Sequence, residues 1–461
     1  MSTFIDADSP LQPSSGNAAP GVRGASWLER RFALHARGTN PRVELTAGLT
    51  SFLAAAYLLV VIPSLLAVGG MDRGAATTAT IVVTALGTTF MALYANLPFL
   101  VGPGIGGSVL LGVTLAAEAH MPWQTGLGIA CLSGVLFLVL TLAGARGVVT
   151  RIIPMQIKMG LGASIGIFIA VLGFRNAGML VANAKTNAYA LGDFTHPGVW
   201  VALIGLALIV FLQGRKLPGA ILLAIILAAL AGIPLGVTKV PDALVALPHS
   251  MAPVAFKLNI ADALTLAAAP FMFVFFASEF FSTLGTTLAV GAKAGLLDAH
   301  GNMQDVNRPF VVDSIAATVG AALGVPALTA LIESAAGVEA GGRTGLAALA
   351  AAAMFALMLF FIPIALAIPK EATAPALIVI GLSMFSTIRH VDFEHFSDGL
   401  PVMLMVLLTL LSNSFGTGIA GGLLCFVLVK LLCGRPRELH WGMYVLAAPM
   451  AYYFWTIVHP H

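Results

Sequence analysis

The sequence has few charged residues: 9% of its 461 residues carry a charge, against about 25% in an ordinary soluble domain. At the same time, 59% of the residues are hydrophobic. A soluble chain of this length would expose more apolar surface than water tolerates, so the composition excludes a soluble globular protein. The formal net charge of +3 is too small to indicate a nucleic-acid partner.

Cysteine is also scarce. Cys131, Cys425 and Cys433 lie in or beside apolar stretches without paired spacing, which favours packing over disulfides. Neither H-E-x-x-H nor C-x-x-C occurs, so we expect no metal site and no cofactor. The N-terminus has no apolar stretch with a cleavage site, and the polar residues 1–40 predict a disordered cytoplasmic tail instead of a signal peptide.

Long apolar segments fill most of the remaining chain. Many reach about 20 residues, enough to cross a hydrocarbon core of roughly 30 Å. They are continuously apolar and do not alternate, which favours helices over a barrel. The sequence therefore predicts an all-α polytopic membrane protein. We place about fourteen spans, at 45–69, 75–94, 97–118, 122–144, 155–174, 198–213, 217–236, 261–290, 309–325, 327–340, 345–366, 373–388, 398–413 and 415–433.

The spans form two similar halves of seven. The third span begins L-P-F-L-V-G-P-G-I-G-G-S (97–108), with two prolines and four glycines, and the tenth span is likewise broken next to Pro326. In each half a short turn joins the last two spans, at 213–219 and 412–418. Because seven is odd, the halves insert in opposite senses. Broken spans at matching positions indicate a transport site between inverted repeats.

The loop charges predict the orientation. With a cytoplasmic N-terminus, seventeen of the 23 Lys and Arg residues fall on the cytoplasmic side and six outside. The chain is therefore expected to be a multi-pass protein of the inner or plasma membrane. Residues 434–461 form a C-terminal tail, in which 441–458 fits either a fifteenth span or a helix lying at the membrane interface.

Two acidic residues lie inside apolar spans. Glu279 occurs in span eight, within F-M-F-V-F-F-A-S-E-F-F-S-T, and Glu333 occurs in span ten. Ionisable groups are costly inside a membrane and usually mark a substrate or proton path, although each acid could instead be neutral and structural. Removal from water favours the neutral form of a carboxyl group. We predict that both carboxyl groups face one site and that Glu279 carries a coupling proton.

The interrupted spans supply further candidate ligands, because backbone N–H and C=O groups freed at a break can line a cavity. A packing break filled by neighbouring side chains is the alternative. The candidates are Phe99, Gly102, Gly104 and Ser108 in the first half and Ser334 and Ala335 in the second.

Two other motifs lack the context that gives them meaning. G-A-S-I-G (162–166) matches a hydrolase pattern but has no preceding strand, so Gly162 and Gly166 are interpreted as a packing face. G-V-E-A-G-G-R-T (337–344) resembles a phosphate-binding loop, with Arg343 in place of lysine. We therefore do not expect an enzyme.

Six stretches together are characteristic of one family of membrane proteins. They are I-E-S-A-A-G-V-E-A-G-G-R-T-G-L (332–346), K-A-G-L-L-D-A-H-G-N (293–302), A-T-A-P-A-L-I-V-I-G (372–381), G-I-F-I-A-V-L-G-F-R-N-A-G (166–178), L-P-F-L-V-G-P-G-I-G (97–106) and T-S-F-L-A-A-A-Y (50–57). On these motifs the chain resembles the nucleobase–cation symporters, in particular the adenine/guanine/hypoxanthine permease (AzgA-like) branch. The similarity covers about 42–433.

The resemblance implies a uracil-permease-like fold of two inverted seven-span repeats. Spans 1–4 and 8–11 would form a core domain and spans 5–7 and 12–14 a gate domain, with short strands in spans three and ten. The implied boundaries are 45–144 and 261–366 for the core, and 155–236 and 373–433 for the gate. It further implies a homodimer and an elevator-like movement of the core. Glu279 and Glu333 would hold the base, with backbone help from Phe99 and Ser334.

The chain departs from the family pattern around the implied pocket. The usual V-D-x-F-D-T reads S-E-F-F-S-T (278–283), so the first acid is Glu279 and the second has become Ser282. The usual Gly-x-Asn of span three reads Gly106-Gly107-Ser108, and Thr-Tyr before the acid of span ten reads Ala330-Leu331. These changes affect the choice of base more than the class of protein.

The sequence and the resemblance therefore predict a carrier that imports a nucleobase. A purine is favoured over other bases as the substrate, and protons are favoured over sodium as the coupling ion. Phe99, Phe280 and Phe281 are candidate apolar faces for the ring. The alternatives are a xanthine/uracil-type carrier, an anion transporter on the same fold, a membrane hydrolase using Ser164, or a receptor or scaffold. The full set of predicted substrate-binding residues is Glu279, Glu333, Phe99, Gly102, Ser108, Phe280, Ser282, Thr283 and Ser334.

Overall fold

A computed structural model describes residues 27–144, 154–182, 189–241, 243–265, 268–297, 303, 305–412 and 414–458. The helices of the first half are α1 (Trp27–Phe32), α2 (Pro41–Ala55), α3 (Leu58–Val68), α4 (Arg73–Phe90), α5 (Ile105–Val109), α6 (Trp123–Leu142), α7 (Met155–Asn176), α8 (Pro197–Gly214) and α9 (Ala220–Gly232). The helices of the second half are α10 (Ile260–Ala263), α11 (Ala269–Lys293), α12 (Asn307–Ala322), α13 (Ser334–Glu339), α14 (Gly345–Leu357), α15 (Ile362–Ala367), α16 (Lys370–Phe385), α17 (Phe396–Leu411), α18 (Phe415–Leu432) and α19 (Trp441–Val458).

The remaining regular elements are short. The strands are β1 (Val101–Pro103), β2 (Leu180–Ala182), β3 (Tyr189–Leu191) and β4 (Leu328–Ala330). Wider π-helical turns extend α4 over Met91–Ala95 and α5 over Leu110–Glu118. Among the described residues, eight helical segments are long and apolar enough to cross a membrane, and four shorter apolar helices accompany them. The predicted multi-span helical membrane protein is confirmed.

The two broken spans meet as strands. Strand β1 pairs with β4 in antiparallel register, with Val101 opposite Ala330 and Pro103 opposite Leu328. Beyond the strands, the Leu331 N–H donates to the Leu100 carbonyl at 2.9 Å and the Gly104 N–H donates to the Ala327 carbonyl at 2.9 Å. Backbone groups that leave a helix inside a membrane need such partners. The backbone groups freed in one broken span therefore hydrogen-bond those freed in the other.

A close approach between the two broken spans requires glycine. A Cβ atom added at Gly107 would lie 2.1 Å from the Ala327 Cβ atom, far inside contact distance. Ala327 itself has a φ of 57°, in the left-handed region that non-glycine residues rarely adopt. Helix α5 can therefore start directly against the chain that leads into β4 only because residue 107 has no side chain.

The helices pack in two groups. The core group comprises α2–α6, α11–α15, β1 and β4, with extensive contacts between α12 and α6 and between α14 and α2. The gate group comprises α7–α9 and α16–α18, where α16 packs on α7 and α17 packs on α18. The names core group and gate group follow the predicted core and gate domains. The domain boundaries themselves stay a prediction.

The predicted disordered tail is wrong for its second part. Residues 27–40 contain α1 and a 3₁₀ turn (His35–Arg37), and Phe32 and Leu34 are buried against Leu346. The Arg37 guanidinium donates to the carbonyls of Asn96 and Arg343 at 2.9 and 3.0 Å. Apolar burial and backbone caps thus hold this segment on the core group. Residues 1–26 lie outside the described residues.

The segment 441–458 forms one continuous helix, α19, which packs on α18 and α11. The Tyr453 hydroxyl lies 3.0 Å from the Thr417 hydroxyl, and the Tyr453 ring meets the Phe271 ring edge-on. Lys430, near the end of α18, donates to Glu438, just before α19, at 2.6 Å. This hydrogen bond holds the pKa of the Glu438 carboxyl group below its usual value. Both arrangements of this segment, a fifteenth span and a helix at the membrane interface, stay predictions.

Candidate functional site

A cavity of about 810 Å³ lies between the core group and the gate group. Such a volume falls within the range typical of small-molecule sites. The core wall comes from α3, the β1–α5 junction, α11 and the β4–α13 junction, and the gate wall comes mainly from α7 and α16. The polar and aromatic residues on this lining are Tyr57, Lys158, Gln213, Ser278, Phe281, Ser282, Thr286, Thr329, Glu333, Ser383 and Thr387.

Glu333 lies on the cavity wall at the start of α13. The Tyr57 hydroxyl donates to its Oε1 atom at 2.6 Å. Tyr57 is only 1% exposed, so the side chains packed around it hold this donor in place. Glu333 and the chain that leads into α13, from Thr329 to Ile332, line the cavity together. Sequence reasoning identified Glu333 but missed Tyr57.

Ser282 is the second predicted residue that reaches the cavity. Its hydroxyl lies 3.2 Å from the Thr329 hydroxyl, so it joins α11 to β4 at the cavity wall. The residues at the start of α5 also line the cavity, from Pro103 to Gly106. The positive end of the α5 backbone dipole therefore lies at the cavity, opposite the gate group.

Gly104 and Phe281, two further candidates, also line the cavity, whereas six predicted ligands lie behind its wall. Phe99, Gly102, Ser108, Phe280, Thr283 and Ser334 are not among the residues that line the cavity. Ser334 instead holds the two broken spans together: the Leu100 N–H donates to its hydroxyl at 2.9 Å, and the hydroxyl donates to the Leu331 carbonyl at 2.6 Å. Phe99 and Phe280 are buried rings at 0% and 1% exposure.

The prediction that both carboxyl groups face one cavity is wrong for this structure, because Glu279 does not line it. On helix α11, Ser278 and Ser282 face the cavity, and Glu279 is rotated by about 100° from Ser278. It is 1% exposed and accepts a hydrogen bond from the Ser133 hydroxyl at 3.3 Å. Its Oε1 atom has no partner among the described residues. The proton-coupling role of Glu279 stays a prediction.

Another buried acid near the cavity, Asp313 on α12, was missed. Its Oδ2 atom accepts from the Thr283 hydroxyl at 2.6 Å and from the Ala330 N–H at 2.7 Å. Thr283 lies one turn after Glu279, on the same face of α11. Asp313 therefore connects the helix that carries Glu279 to a strand residue that lines the cavity. The signal was present in the sequence as V-V-D-S within an apolar span, the same signal that identified Glu279.

The arrangement offers a carboxyl group, hydroxyl groups and backbone ends on one wall, and mostly apolar side chains on the other. Such a lining can hydrogen-bond the polar groups of a small ligand while apolar surface contacts the rest of the molecule. Ser164, the candidate hydrolase serine, is fully buried and does not line the cavity.

Comparisons with known proteins agree with this architecture. The family model described as "Permease family" matches residues 42–425. The chain is 37% identical over 428 residues to a protein of Methanocaldococcus jannaschii that is named "Putative permease MJ0326", covering 93% of this chain and 98% of that protein. It is 35% identical over 418 residues to the guanine/hypoxanthine permease PbuO of Bacillus subtilis (89% and 96%) and 33% identical over 424 residues to the adenine permease AdeQ of Escherichia coli (92% and 95%).

Solved structures match in fold at low sequence identity. The transmembrane domain of the cyanobacterium bicarbonate transporter BicA superposes with a TM-score of 0.60 at 16% identity, covering 83% of this chain and 97% of that chain. The murine Slc26a9 anion transporter in the inward-facing state superposes with a TM-score of 0.61 at 11% identity, covering 91% and 74%.

The fold is that of a multi-pass helical membrane protein, and the permease relatives define its class as a membrane transporter. Within that class, the chain belongs to the nucleobase–cation symporter family, whose model covers most of its length.

Proposed function

We propose that this protein imports a nucleobase, a purine before other bases, by proton symport across the plasma membrane, with its N-terminus in the cytoplasm. The observation that carries the proposal is the Glu333 carboxyl group on the wall of the intergroup cavity, held by the Tyr57 hydroxyl. A purine presents N–H donors and ring acceptors along its edge, and a carboxyl group beside backbone ends can pair with both. The names of the adenine and guanine/hypoxanthine permease relatives support the choice of a purine.

The proposed cycle places the base on the core group. Glu333 and the strand ends belong to that group, whereas Lys158 and the other lining residues of α7 and α16 form the opposite wall. Sliding of the core past the gate would carry the base across the membrane, as an elevator mechanism requires. The two groups meet across the cavity through side chains, with β1 and β4 wholly within the core. A homodimer joined through gate groups would hold the gate fixed.

Proton coupling is assigned to Glu279, with Asp313 beside it. Both carboxyl groups are fully buried, and each has one oxygen without a partner among the described residues. Thr283, which donates to Asp313, lies one turn after Glu279 on α11, so the two acids face the same part of the core. Neighbouring carboxylates repel each other when both are charged, so a proton on Glu279 would be released or taken up as the site rearranges. Asp313 passes that change to the cavity through the N–H of Ala330.

The test is uptake into vesicles that contain the purified protein. Radiolabelled adenine, guanine and hypoxanthine are offered with an acidic exterior, and we expect accumulation that slows as the external pH is raised. Glu333→Gln should abolish uptake. The matched control is Glu339→Gln, six residues further along the chain at the end of α13, where the side chain is exposed and paired with Lys293. Uptake that survives Glu333→Gln removes Glu333 from the site.

An anion transporter on the same fold is the second candidate, because both solved neighbours are named for anions and Lys158 places a cation on the gate wall. Bicarbonate and sulfate are therefore included as competitors. Inhibition of uptake by the anions and not by unlabelled purines would favour this alternative. Dependence on a sodium gradient, with no effect of pH, would replace the proton as the coupling ion.

A further inference from the structure

One contact crosses the cavity between the gate and the core. The ammonium group of Lys158, on α7, lies 5.0 Å from the centroid of the Phe281 ring, on α11. Both residues line the cavity, and within the described lining Lys158 is the only Lys or Arg. A cation over an aromatic face at this distance gains electrostatic stabilisation from the ring. The half-buried ammonium group is therefore held on the ring face and not simply directed at water.

Phe281 is also the aromatic face available to a ligand. Two aromatic residues line the described cavity, Tyr57 and Phe281. Tyr57 is 1% exposed and its hydroxyl is bound to Glu333, whereas Phe281 is half-buried. A heteroaromatic base stacks well on an aromatic ring, and such stacking contributes about 1–3 kcal/mol per base where it has been measured by alanine substitution. The ring that Lys158 covers is thus the ring on which a base would stack.

We propose that the Lys158 ammonium group and the transported base compete for the face of the Phe281 ring. Lys158, on the gate side, would then favour release of the base and cover the ring once the base has left. This inference rests on the proposed nucleobase function. In the empty carrier the ammonium group covers the ring. A bound base displaces it toward the open part of the cavity, and the return of the ammonium group after release opposes rebinding from the same side.

The competing role for Lys158 makes the opposite prediction. A lysine that donated hydrogen bonds to the bound base would strengthen binding, and its loss would weaken it. Under competition, loss of the ammonium group strengthens binding, because the base no longer has to break the cation–ring contact. The sign of the change in affinity therefore separates the two roles.

The experiment measures equilibrium binding of radiolabelled adenine, guanine and hypoxanthine to the purified full-length protein and its variants. For any base that binds, Lys158→Gln and Lys158→Met should bind it about two- to fivefold more tightly, the factor corresponding to about 0.5–1 kcal/mol for a cation–π contact. Lys158→Arg keeps a cation over the ring and should match the unmodified protein. Phe281→Leu should weaken binding, and in that background Lys158→Gln should have no further effect.

Unchanged or weaker binding in both neutral variants overturns the inference, as does a gain that persists when Phe281 is replaced by Leu. A protein that binds none of the three bases overturns the proposed function together with this inference. Base binding by the unmodified protein without a gain in the neutral variants overturns the inference alone. Thermal unfolding of the ligand-free variants identifies any that fail to fold, and two neutral variants keep the comparison available.

Discussion

Asp313 offers a graded test of how the buried acids support the cavity. Its Oδ2 atom accepts two hydrogen bonds, from the Thr283 hydroxyl and the Ala330 N–H. Asp313→Ala leaves both donors buried and unpaired, and each unpaired donor costs about 1–3 kcal/mol. We therefore expect a loss of about 2–6 kcal/mol in the free energy of unfolding. Asp313→Asn keeps an oxygen that can accept both bonds, so its loss should be less than half as large.

The measurement is reversible unfolding of the purified variants in mixed detergent micelles, followed by the loss of helical circular dichroism. Transport of a bound base is measured in parallel. We expect Asp313→Asn to fold and bind the base, but to lose the dependence of uptake on the proton gradient. Equal destabilisation by Ala and Asn, or none in either, would refute the view that Asp313 holds β4 through these two bonds.

Three further predictions concern the cavity wall, the broken spans and the movement of the two groups. Tyr57→Phe removes the donor to the carboxyl group on the wall, and base affinity should fall about tenfold, the effect of roughly 1.4 kcal/mol; unchanged affinity would make that bond irrelevant to binding. Gly107→Val should lower the unfolding midpoint because no room exists for a side chain, whereas Gly214→Ala, where nothing lies within 4 Å of the added Cβ atom, should not; equal shifts would contradict the close approach. Glu118 and Arg175 form a 3.8 Å ion pair between core and gate, so cysteines at both positions should stop uptake when cross-linked and restore it on reduction; continued uptake by the cross-linked protein would rule out relative movement there.

Much of the fold followed from the sequence because membrane crossing imposes simple demands. Long uncharged segments must be helices, and only a paired partner can satisfy a break within them. The proline- and glycine-rich stretch at 97–108 and the break beside Pro326 predicted two interrupted spans at matching positions. The structure adds that the two interruptions pair with each other, as β1 and β4. The seventeen-to-six division of basic residues predicts an orientation in the same way, and that orientation stays a prediction.

The site was harder to predict because one residue along a helix changes the facing by about 100°. That rotation places Ser278 on the cavity and its neighbour Glu279 behind it, a difference that no composition argument can resolve. Tyr57 was missed because a tyrosine in an apolar helix normally indicates packing, and only the fold brings its hydroxyl to Glu333, 276 positions away in the chain. Helical structure over residues 27–40 was missed because its burial depends on a surface formed by α14.

The most direct test of the account is a thermal-shift titration of the purified protein with adenine, guanine, hypoxanthine, xanthine and uracil, repeated with Glu333→Gln. A ligand that binds only the folded protein stabilises it, by about 2.7 kcal/mol at a concentration of 100 times Kd. The account predicts that at least one purine raises the Tm of the unmodified protein and leaves the Tm of Glu333→Gln unchanged. A protein whose Tm no base changes, or a purine shift of the same size in Glu333→Gln, would contradict it.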